Sequence, residues 1–141
     1  MRADEVRNAI VAAVEATPVD AKASSVDVFK YLQPGMREVV MARDRVFTVD
    51  IIAAPLRAKR IFVNDLYECA WNLDVYYSDA PGIQDRIILD VERLSQKLEA
   101  LARDNAAIQL IMIGPADVTL TDGQIIATIS INTTYRLTSG V

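Results

Sequence analysis

The pair Asp122-Gly123 stands between two runs of alternating polarity, residues 118–121 and 124–137, and no other feature restricts the fold as much. Asp-Gly supplies the two left-handed positions of a type I′ turn, whose twist matches that of the strands it joins. The pair therefore predicts a tight antiparallel hairpin. In its second arm Ile125, Ala127, Ile129, Ile131, Thr133, Tyr135 and Leu137 face one way, with Thr128, Ser130, Asn132, Thr134 and Arg136 opposite. That run exceeds an average strand, so it is expected to cross the middle of a sheet or reach a neighbouring subunit. Its apolar face must be covered.

Two segments have the spacing to cover it. Over residues 4–15, Val6, Ile10 and Val14 recur at helical intervals before Pro18 stops the pattern. After Pro81-Gly82, Ile83, Ile87, Val91, Leu94, Leu98 and Leu101 predict a longer amphipathic helix, with Arg86, Asp90, Arg93, Lys97 and Glu99 on its wet face. Strands are expected over 26–32, over 39–52 as two strands joined by the charged corner Arg43-Asp44-Arg45 or as one bent strand, over 66–77, and over 108–113, where Gly114-Pro115 ends the run. In 66–77, Tyr67, Cys69, Trp71, Leu73, Val75 and Tyr77 share one face and Glu68, Asn72 and Asp74 the other. Pro55 and the cations Arg57, Lys59 and Arg60 give the stretch of about 53–62 the character of an exposed loop. The expectation is a single α+β domain over 1–141, an antiparallel or mixed sheet with two α-helices packed mainly on one face.

Several function classes lose support. Hydrophobic residues make up 52% against 24% charged, which favours a packed core over disorder. The net charge of -4 disfavours general binding to nucleic acid or anionic lipid. There is no histidine and one cysteine, so Ser-His-Asp and Cys-His machinery and multi-cysteine zinc patterns are missing. No Walker A or Gly-x-Gly-x-x-Gly pattern occurs. Glu68 and Asp74 share a strand face about 20 Å apart, at roughly 3.3 Å per residue, too far to flank one bond. Cys69 beside Trp71 reads as a buried small hydrophobe. The expectation is a soluble, unexported chain with no cofactor and no metal, and not an enzyme.

One cluster stands out from the bulk composition. Arg57, Lys59 and Arg60, joined by Arg43 and Arg45 if the strands fold back, form a candidate contact with an acidic partner subunit or with DNA. A solvated loop is the competing reading.

In order, the chain runs helix, bent strands around Arg45-Val46-Phe47-Thr48-Val49, a long strand reading Trp71-Asn72-Leu73-Asp74-Val75-Tyr76-Tyr77, an amphipathic helix after Asp79, a short strand, the Asp-Gly hairpin, and a last strand closing on Thr134-Tyr135-Arg136-Leu137. This order resembles that of the tail terminator proteins of tailed bacteriophages. The resemblance implies a virion protein, assembled in the host cytoplasm, whose subunits form a hexameric ring. Such a ring caps the tail tube protein and meets the head connector, with loops lining a channel that conducts DNA. By its position, and with no family motif to fix it, the segment 55–60 is expected to line that channel or meet the tube. Another neck or head-completion connector would share this logic, and a small enzyme or ligand-binding module assembled from distant carboxylates and tyrosines is the reading from a different class.

Overall fold

The computed structural model describes residues 1–19, 28–32, 44–57 and 66–136. Helix α1 (Ala3–Glu15) begins where the Glu5 carboxylate accepts the Arg2 backbone N–H at 3.1 Å. It buries Val6, Ile10, Ala13 and Val14, the stripe that the spacing predicts. Strand β1 (Lys30–Tyr31) is all that the described residues show of the strand expected over 26–32. After it come β2 (Val46–Arg57) and β3 (Leu66–Ser78). Helix α2 (Ile83–Glu99) and the single turn α3 (Leu101–Asp104) precede the hairpin of β4 (Ile108–Thr121) and β5 (Gln124–Arg136).

The five strands lie in the order β1-β2-β3-β5-β4. β1 joins β2 in parallel and every other pairing is antiparallel, so the sheet is mixed. β3 and β5 pair without a slip from Leu66–Arg136 to Ser78–Gln124. Both strands alternate buried and open positions along their length, as their sequences do. The helices cover one face. Val6, Ile10, Leu94 and Leu98 join Phe47, Trp71, Leu73, Val75, Ile129 and Ile131 in one core. The turn has φ of 50° at Asp122 and 75° at Gly123, and Thr121 pairs with Gln124, as a two-residue type I′ hairpin requires.

Two expectations are corrected. Residues Ala53–Arg57 are not loop but the continuation of β2, with register shifts between Ile51 and Ala53 and between Ala53 and Leu56. Pro55 falls inside the second irregularity, where a missing N–H breaks no ladder bond. The rest of the expected loop, 58–62, lies outside the described residues, as does 39–43 of the expected bent strand. Likewise Gly114-Pro115 does not end a strand. β4 runs through it with a register shift between Ile113 and Ala116 opposite β5, and β4 lies at the border of the sheet, where proline is tolerated.

Candidate functional site

The buried stripe of α2 is Ile83, Ile87, Asp90, Leu94 and Leu98. Asp90 is therefore not on the wet face, and at 1% exposure it is a carboxylate inside the core. Its partner is Arg45, 2% exposed, whose Nε and Nη2 donate to the two carboxylate oxygens at 2.8 and 3.0 Å. The planar guanidinium fork matches a carboxylate in this two-point fashion. The Tyr77 hydroxyl also donates to Asp90, at 2.8 Å, and the guanidinium lies 5.7 Å from the centre of the Phe29 ring.

The backbone that delivers Arg45 is itself constrained. Arg45 has φ of 65°, in the left-handed region uncommon for side chains other than glycine. Its N–H donates to the Tyr76 carbonyl at 2.9 Å and its carbonyl accepts the Lys30 N–H at 3.0 Å. Beside it Asp44 accepts the Ser78 N–H at 2.8 Å and an Arg86 N–H at 3.1 Å. Together these bonds lock the corner before β2 to β3, to β1 and to α2. Arg45, Asp90 and Tyr77 are almost wholly buried, so this trio ties the fold together from within the core.

Burial, then the charge of Asp90 and the hydrogen bond to it, pushes the Tyr77 phenol above its ordinary value of 10.0. Burial does the same at Tyr135. The unfolded chain ionises these phenols near pH 10 while the folded chain resists. Their contribution is therefore complete below that pH and is lost as the pH rises through the folded values. In an alkaline titration followed by phenolate absorbance, Tyr77 is expected to stay protonated beyond pH 10 until the fold opens. Tyr77→Phe should lower the amplitude of that late phase by one phenol and leave the share of Tyr135; an unchanged curve would contradict the bond to Asp90.

Of the predicted cation cluster, the described residues include Arg45 and the backbone of Arg57. Arg45 leaves it, because its charge is used inside the molecule by Asp90. The backbone of Arg57 pairs with Tyr67 in β2 and β3. Arg43, Lys59 and Arg60 lie outside the described residues. The distant carboxylates Glu68 and Asp74 stay on the sheet face away from the helices. Register sets Asp50 and Asp117 on that face too, opposite Asn72 and Thr128, and the Thr128 hydroxyl donates to Asp74 at 2.6 Å. A face with these four carboxylates does not attract a polyphosphate. Cys69 is buried, its thiol pushed up by desolvation, as a core thiol should be. Among the described residues no group of three or more acidic or cysteine side chains could hold a metal ion. No described helix is long and apolar enough to cross a membrane.

What remains open is the border of the sheet. β4 has 14 residues and one charged group, Asp117, and it leaves Leu110 49%, Met112 58%, Val118 55% and Leu120 63% exposed. On β2, Ile51 and Ile52 are exposed to a similar degree. Natural border strands are usually short, charged or covered, because their unpaired N–H and C=O groups invite another strand. An open depression of about 340 Å³ lies between these borders on the acidic face, lined by Ala53, Glu68, Ala70, Leu110, Met112 and Asn132 among others. The signal in the sequence is a run of apolar residues, Leu110 and Met112 on the acidic face and Val118 and Leu120 on the opposite one, in a strand that the hairpin puts at one side of the sheet. No protein-family model matches the chain, and no curated protein matches it.

Proposed function

We propose that this chain is a structural subunit of a phage neck, a tail terminator that assembles into a hexameric ring, caps the tail tube and joins it to the head connector. The observation that carries the reading is the long apolar border strand β4, with four large side chains in solvent and a single charge along it. A border of this kind is stable in a working protein when something docks on it. The element order described for the sequence supports the same assignment.

Ring formation needs a head-to-tail interface between unlike surfaces of one subunit, with a rotation that closes. The sheet has two different borders to offer. Contact with the tube, the connector or DNA is assigned to the segment carrying Arg57, Lys59 and Arg60. The proposal is tested by adding the purified chain to polymerising tube subunits of the same phage. Tubes should stop growing at one end and shorten as the ratio of terminator to tube subunit rises. Tube lengths that ignore the added chain would contradict it.

A further inference from the structure

We infer that neighbouring copies in the ring join by antiparallel strand addition, the outer border of β4 in one copy pairing with the outer border of β2 in the next. This rests on the ring-forming reading above and specifies its contact. Among the described residues, β1 covers β2 only at Val46 and Phe47, so β2 has no partner on that side from Thr48 onward. Among the described residues β4 has none on its outer side. The two borders are therefore complementary rows of backbone donors and acceptors within one molecule.

Strand direction selects the partner. β2, β3, β5 and β4 alternate in direction, so β2 and β4 run oppositely. Copies related by rotation about an axis along the strands keep those directions. β4 then meets the next β2 antiparallel, and each copy uses both borders once. Side chains agree with this. The hydrogen-bonded ladder sets Met112, Asn132, Ala70 and Ala53 at one level, so level sheets bring the exposed Met112 beside Ala53 of the neighbour and next to the exposed Ile52, with Ile113 level with Ile51. The same ladder puts Asp117 level with Thr48, while Asp50 stands level with the irregularity at Gly114-Pro115, so the two carboxylates do not oppose each other.

Size argues for closure. Ten paired residues span about 33 Å, and a strip about 10 Å wide buries on the order of 300 Å² per copy, well below the roughly 800 Å² of a stable pair. Pro55 and Pro115 each remove one donor, which weakens a lone contact further. A closed ring gives every copy two such contacts.

The test uses Ile52→Cys and Met112→Cys in the full chain with a thiol-reactive linker of about 8 Å. Within one copy these borders lie three strand spacings apart, about 14 Å, beyond the linker. Cys69 is 3% exposed and serves as the unreactive background. The double variant should give a ladder of dimers, trimers and higher species on a denaturing gel. A mixture of the two single variants should give dimers, and each single variant alone should stay monomeric. Dimers from Met112→Cys alone would mean that β4 pairs with β4 and would overturn the inference. Rings of full mass by light scattering, with no cross-linking in the mixture, would overturn the strand pairing and leave the ring standing. A chain that light scattering shows to be monomeric would overturn both.

Discussion

Replacing Asp90 with alanine is expected to destabilise the chain by about 3–5 kcal/mol, because it leaves a buried guanidinium without its two-point carboxylate. Arg45 and Asp90 are 2% and 1% exposed, so water cannot substitute for the lost partner without opening the core. The Tyr77 hydroxyl loses its acceptor in the same step. Against a typical total of about 5–15 kcal/mol, a loss of this size puts the domain near its unfolding threshold. The urea midpoint reads it directly. Replacing the whole network with apolar groups, Arg45→Met with Asp90→Leu and Tyr77→Phe, should do less harm than Asp90→Ala alone, since no charge is then left buried. A midpoint that Asp90→Ala leaves unchanged would contradict the burial of this pair. The network also fixes the corner that launches β2, so the same variant should weaken assembly as well as folding.

The second large effect is expected at Trp71, in the third strand of the sheet. Trp71→Ala should lose about 3–5 kcal/mol, the usual range when a buried aromatic is truncated. The indole is 3% exposed, and its N–H donates to the Thr133 hydroxyl at 3.1 Å, which in turn donates to the Cys69 carbonyl at 3.1 Å. This relay ties β3 to β5 in the layer beneath the helices. Thr133→Val isolates the polar part of the effect. It keeps the shape but leaves a buried indole N–H without an acceptor, at about 1–3 kcal/mol. Thermal unfolding followed by circular dichroism separates the two, since Trp71 is the single tryptophan and cannot report on its own removal. Equal losses in the two variants would contradict the packing account.

Most of the architecture was legible because it depends on periodicity. The Asp122-Gly123 turn, the two-residue alternation of β3 and β5 and the spacing of Val6, Ile10, Val14, Leu94 and Leu98 all specify which atoms must leave water. The rest was not legible because neighbours in the fold alter what a residue's local chemistry implies. Pro55 and Gly114-Pro115 break a central strand, but at a border or bulge they break nothing. The charge of Asp90 points to the wet face, although spacing puts it three residues after Ile87 and four before Leu94. The charge of Arg45 likewise points to an exposed cation, and only the tertiary fold brings it to a carboxylate 45 positions away. The open border of β4 was readable in principle, yet its importance depends on strand order, which periodicity does not give.

The claim on which the account depends is that this chain acts by docking its sheet borders on copies of itself. Light scattering of the purified wild-type chain, with end-on images by negative stain, tests it most directly. The account predicts closed annuli of six times the 15.6 kDa chain, alone or once tube subunits are present. A species that keeps the mass of one chain under both conditions would contradict it.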